Sequence, residues 1–172
     1  MGRHDLPPGT YGEHYGQFTV NQRNFPETFI PTISAILPHS PVLGIGTGAH
    51  AMHVYFGGSL VQHVVGHIGT NKHEIVWENS GVYVVNSTHH QMINPNTFPQ
   101  GVAKVLAYPE PNLSSIYMNG MDEEIKPEPS VEPEAVQYVT SKEKGLALQF
   151  HPEHMLPDNP IHSLIIEALF NI

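Results

Sequence analysis

Pro41-Val42-Leu43-Gly44-Ile45-Gly46-Thr47-Gly48 is the stretch on which the fold turns. Residues 41–45 are short, apolar and bounded by turn formers, a pattern that predicts a buried parallel strand. The strand runs straight into Gly46-Thr47-Gly48, after which Ala49 to Phe56 has helical spacing and stops at Gly57-Gly58. Strand, tight glycine turn and helix in succession form the geometry of a nucleophile elbow, whose turn residue projects into a pocket above the helix N-terminus. Position 46 is that residue. Gly-rich strand-to-helix turns also serve packing or phosphate binding, so this segment alone leaves a generic turn open.

On the N-terminal side, residues 1–26 are rich in Gly, Pro and Tyr and show neither a 2- nor a 3.6-residue period, which predicts an irregular loop. Phe29, Ile33, Ile36 and Leu37 have helical spacing, and the helix should end at Pro38. On the C-terminal side, a second short amphipathic piece covers Leu60 to Val65. Strands follow at His73–Trp77, Gly81–Val85, Ala103–Tyr108 and Ser115–Met118, each rich in β-branched or aromatic residues between turn signals. The acidic, proline-broken residues 122–134 are expected to form an exposed loop. Ala135–Val139 and Leu146–Phe150 look like a closing hairpin, and Ile161–Phe170 like a final amphipathic helix. No internal repeat is present.

A second chemical feature lies in Leu148-Gln149-Phe150-His151-Pro152-Glu153. His151 and Glu153 are two apart at the end of a strand, where a period of 2 puts both side chains on one face and lets the carboxylate orient the imidazole. That is a base with its orienting partner, and the elbow upstream is the element such a pair would serve.

The composition narrows the function. At 172 residues and 40% hydrophobic content, the chain suits one domain, residues 1–172, around a single core. A formal charge of −9 with only 7 Lys and Arg leaves no phosphate-tracking surface, so nucleic acid and anionic membranes are not expected as partners. There is no apolar run of transmembrane length and no charged-then-apolar leader, which leads to the expectation of a cytoplasmic protein. With 0 Cys, disulfides, thiolate metal sites and a cysteine nucleophile are all excluded. The 13 His, if all protonated, would move the formal charge from −9 to +4, so acid sensitivity below about pH 6 is expected.

Taken together, these segments resemble a known family. Residues 41–48 are similar to the PVLGICxG elbow of class I glutamine amidotransferases, and Phe150-His151-Pro152-Glu153 to their FHPE motif. Tyr55-Phe56-Gly57-Gly58-Ser59-Leu60 and Asn86-Ser87-Thr88-His89-His90-Gln91 resemble the gamma-glutamyl hydrolase-like branch, peptidase family C26, and its stand-alone phage and bacterial relatives. The resemblance implies an α/β, three-layer, flavodoxin-like sheet with helices on both faces, here lacking the N-terminal strand–helix units.

It also implies roles. His151 would be the general base and Glu153 its partner. Oxyanion donors would be the Thr47 backbone N–H and Gly9 of a loop resembling LPGG, with His50, His89 and His90 lining the substrate pocket. The family's nucleophilic cysteine position is Gly46, which has no atom able to attack an amide carbon. The loop reads Leu6-Pro7-Pro8-Gly9, so Pro8 removes one amide donor, and His50 replaces a glutamine common after the elbow. The implied function is a catalytically inactive, amidotransferase-like binding, scaffold or structural protein, a virion component if the gene is viral. Residual hydrolysis of a gamma-glutamyl amide is the alternative. A missing sheet edge implies a homo-oligomer or larger assembly, and a gamma-glutamyl small molecule is the implied ligand. His63 and His67 are four apart and on a helix would share a face as zinc ligands do, with His73, His89 and His90 able to join them. Gly66 disfavours a helix there, and the resemblance accounts for these residues without a metal, so no cofactor is expected.

Overall fold

A computed structural model describes residues 5–19, 28–67, 71–127 and 130–170 of the chain. The irregular reading of residues 1–26 therefore lies partly outside the described residues. The described part of it contains a short 3-10 turn, Pro8–Tyr11.

Helix α1 (Phe29–Ile36) leads into strand β1 (Val42–Ile45) and helix α2 (Thr47–Tyr55), in the order read from the sequence. Next come β2 (Leu60–Val61), β3 (His63–Val64), β4 (Asn71–Trp77), β5 (Gly81–Ser87), β6 (Met92–Ile93), β7 (Ala103–Tyr108), β8 (Tyr117–Met118), β9 (Ala135–Val139), β10 (Lys144–Leu148) and helix α3 (Ile161–Phe170). Six strands form one mixed sheet in the order β1-β10-β9-β7-β4-β5. Within it, β1 and β10 run parallel, Val42 facing Gly145 and Ile45 facing Leu148. The other pairings in this sheet are antiparallel.

Alternation along the central strands creates the two packed faces. Ala135, Leu146 and Leu148 point into a core shared with Ile161, Ile165 and Leu169 of α3. Their neighbours Val136, Tyr138 and Ala147 pack on the opposite face against Ile33 of α1 and Ala49, Ala51 and Met52 of α2. The molecule is thus α/β with three layers: α1 and α2, the sheet, and α3. Burying such apolar side chains contributes roughly 1.5–3 kcal/mol each relative to exposure.

Four expectations change. Leu60–Val65 forms two short strands, because Leu60 and Val61 pair with Ile93 and Met92 while His63 and Val64 pair with Met118 and Tyr117. A short apolar run carries no decisive period, and here the partner strands decided it. β1 pairs in parallel as expected but is less buried than expected. Val42, Leu43 and Ile45 stay partly exposed, since β1 occupies the edge of the sheet and pairs only with β10 among the described strands. The acidic stretch is not exposed throughout, because Glu132 and Glu134 are both 0% exposed. Finally, β10 ends at Leu148, so His151 and Glu153 meet through the 3-10 turn Pro152–His154 and not through strand alternation.

Candidate active site

At the elbow, Gly46 has φ +55° and ψ −118°, a backbone conformation that side-chain-bearing residues rarely adopt. The Gly46 N–H donates to the Leu148 carbonyl at 2.9 Å, extending the β1–β10 pairing by one bond. Its carbonyl accepts from Ala49 and His50 N–H at 2.9 and 3.2 Å and so starts α2. These bonds on both sides fix the turn, with Thr47 as the first residue of the helix.

The chain beyond β10 brings His151 over this turn. Its backbone is clamped by Asn86 at the C-terminal part of β5: the His151 N–H donates to Asn86 Oδ1 at 2.7 Å, and Asn86 Nδ2 donates to the His151 carbonyl at 2.6 Å. The His151 side chain is 11% exposed, with Nδ1 2.8 Å from Glu153 Oε1. A carboxylate accepts, so Nδ1 carries a proton, and Nε2 faces Gly46. A Cβ at position 46 would lie 2.9 Å from His151 Cε1 and 3.0 Å from Nε2. Desolvation pushes the Glu153 carboxyl up, but the His151 hydrogen bond prevails and holds it below its ordinary value.

Other residues singled out from the sequence have different partners. Gly9 sits in the exposed part of the Pro8–Tyr11 turn, where Pro8 is buried. That loop is strapped to the His-His-Gln motif: the Leu6 N–H donates to Gln91 Oε1 at 2.9 Å, and Leu6 is fully buried beside Ala49 and Met52. Buried His50 places Nε2 3.1 Å from Gln149 Oε1, which also accepts the Ile93 N–H at 2.8 Å. Burial pushes the His50 imidazole down to about 3. His90 Nε2 lies 2.7 Å from Asp5 Oδ1, and its Nδ1 lies 3.4 Å from that of His63.

His89 belongs to a second polar cluster, inside the protein. His89 Nε2, His67 Nδ1 and His73 Nε2 lie 3.3, 3.2 and 3.2 Å from a single oxygen, Glu134 Oε1. His67 Nε2 lies 3.2 Å from Glu132 Oε2, and both side chains are wholly buried. Burial pushes the His67 imidazole down, but its contacts with Glu132 and Glu134 prevail and raise it to about 9. Burial likewise pushes both carboxyls up, and their histidine contacts prevail in holding them low.

The sequence reading assigned no role to Asn86, Gln149, Glu132 or Glu134. A signal for the two glutamates existed: the alternation of buried Val136 and Tyr138, carried back two and four residues, reaches Glu134 and Glu132. Pro133 between the two glutamates, and Pro129 before them, masked it.

A three-layer α/β fold in which a parallel strand ends in a tight elbow beneath a paired histidine and glutamate is of the class I glutamine amidotransferase-like type. The Peptidase C26 family model matches residues 1–153, and the chain belongs to that family. No curated protein matches the chain significantly. Among solved structures it is similar to SMU.1228c, at 18% identity and a TM-score of 0.40, over 73% of this chain and 45% of that one. The chain thus spans less than half the length of that protein. No described helix is long and apolar enough to cross a membrane.

Proposed function

We propose that the protein is a catalytically silent member of the Peptidase C26 family that acts by binding or scaffolding. The observation that carries this reading is the occupation of the elbow: His151 Cε1 and Nε2 stand 2.9 and 3.0 Å from where a Cβ at position 46 would be. Gly46 offers no nucleophilic atom, and the imidazole fills the space in which a cysteine side chain at position 46 would begin. His151 and Glu153 keep a base-and-orienter geometry with nothing to activate except water. Loss of one member of such a constellation typically lowers the rate by about 10⁴ to 10⁶. A retained pocket would hold a gamma-glutamyl group without cleaving it.

The test is an assay of the purified protein with L-glutamine and a chromogenic gamma-glutamyl anilide. No turnover above buffer is expected. Turnover that disappears in His151→Ala would overturn the reading in favour of the second one, water-based hydrolysis, which the intact 2.8 Å His151–Glu153 contact supports.

Association of copies belongs to the same reading. Its support is the outer side of β1, on which no described strand pairs, and the apolar groove beside it lined by Ile33, Val42 and Leu43. Open edges are ordinarily paired or covered. Sedimentation velocity at micromolar concentration should show a dimer or larger species, and a monomer would remove this part of the proposal.

A further inference from the structure

We propose that His67, His89 and Glu134 form a buried binding site for a divalent transition metal of the zinc class, using none of the residues of the elbow. Their donor atoms lie within 4.8 Å of one another, and all three residues are buried. The histidine nitrogens of His67 and His89 stand 3.2 and 3.3 Å from Glu134 Oε1. Ligands about 2.0–2.1 Å from a tetrahedral zinc ion are separated along a tetrahedron edge by roughly 3.3–3.4 Å. The two histidine-to-Glu134 edges already have about that spacing.

Proton placement gives the second argument. His89 Nδ1 lies 2.9 Å from the Gln91 backbone carbonyl, which can only accept, so the proton is on Nδ1. A neutral His89 then turns the lone pair of Nε2 toward a carboxylate oxygen 3.3 Å away. Two acceptors facing each other repel unless a proton or a metal cation lies between them. A metal ion there would take the Nε2 lone pair of His89 and would have to replace the proton on His67 Nδ1, a nitrogen that also lies 3.1 Å from Ser87 Oγ.

The surroundings match what metal-bound histidines require. Such a ring donates its other N–H to a carbonyl or carboxylate, which fixes its tautomer. His89 has the Gln91 carbonyl, and Glu132 Oε2 lies 3.2 Å from His67 Nε2 without an aligned hydrogen bond. Glu132 is itself held by the Leu113 and Ser114 N–H groups at 2.6 and 2.8 Å and by the Tyr117 hydroxyl at 2.9 Å. His73 Nε2 approaches the same Glu134 oxygen at 3.2 Å, and neither of its ring nitrogens has an aligned hydrogen-bond partner. Glu134 Oε2 is also buried without a partner. The donors come from the segment after β3, the segment after β5 and the residue before β9, so the ion would tie together three segments far apart in the chain.

The experiment uses the tag-free chain, stripped with a chelator and then dialysed against Zn²⁺ or Co²⁺. Elemental analysis should return an equimolar amount of zinc, Co²⁺ should give the intense visible bands of a tetrahedral site, and Zn²⁺ should raise the Tm by several degrees. His89→Gln should abolish retention while circular dichroism stays native-like, and His151→Ala should retain the full amount. No retained zinc together with no cobalt spectrum in the unaltered chain overturns the site, leaving imidazoles that share protons over two carboxylates. Retention unchanged in folded His89→Gln, or lost in His151→Ala, also overturns it. Should His89→Gln fail to fold, the unaltered chain and His151→Ala decide between these outcomes.

Discussion

Gly46 shows how one residue settles chemistry and conformation at once. Its φ of +55° suits glycine, and the His151 ring stands within 3.0 Å of the missing Cβ. Gly46→Ala is therefore expected to cost about 1–3 kcal/mol through backbone strain and contact with the ring. Urea unfolding should show the loss, and part of it should be recovered in the Gly46→Ala/His151→Ala double variant, since the two residues share one contact. Additive losses would mean that the strain is in the backbone alone. Gly58 is constrained differently: a Cβ there would collide with the His53 imidazole, which Tyr138 holds by its hydroxyl at 2.8 Å. Gly58→Ala should destabilise by about 1–3 kcal/mol by overpacking, and an unchanged urea midpoint would show that the ring can move aside at no cost.

Among the elements, the decisive link is between β5 and the segment after β10. Asn86 bonds both the N–H and the carbonyl of His151, so one side chain fixes the height of the imidazole over the elbow. Asn86→Ala leaves both backbone groups without these partners and should cost about 1–3 kcal/mol. Asn86→Asp keeps the acceptor and loses the donor, so an intermediate loss is expected. Equal stability of all three proteins in urea would show that water replaces the clamp. The element reading from sequence was accurate where the period was long, as in α3, and failed at Leu60–Val65, where each strand has two residues and its partner lies some thirty or fifty residues away. His151 and Glu153 were paired correctly for a reason that does not hold. The strand ends before them, and proline at the start of the 3-10 turn brings them together.

For the molecule as a whole, buried His50 and His53 set an acid limit, whereas His67, raised to about 9, contributes stability that is lost as pH rises toward that value. Burial pushes His50 to about 3 and His53 to about 4, from ordinary values of 6.5. Between these values and about 6.5 the unfolded chain binds more protons than the folded one, so stability falls as pH is lowered. The contribution is fully present above pH 6.5 and lost progressively toward pH 4 and below. Urea midpoints measured on chelator-treated protein should fall steadily from pH 7 to pH 4, and the fall should be shallower in His53→Gln. A flat profile over that range would contradict the burial of these rings in solution.

The sequence by itself determined the layered α/β order around the elbow and the absence of a nucleophile at position 46, because these depend on local period and on residue chemistry. Only the tertiary structure decided that β1 stands at an edge, that the His151 ring fills the place of a side chain at position 46, and that Glu132 and Glu134 leave the acidic stretch to meet three histidines. Each of those depends on contacts between segments far apart in the chain, where burial converts charges that would sit in water into a polar cluster that must be neutralised from within.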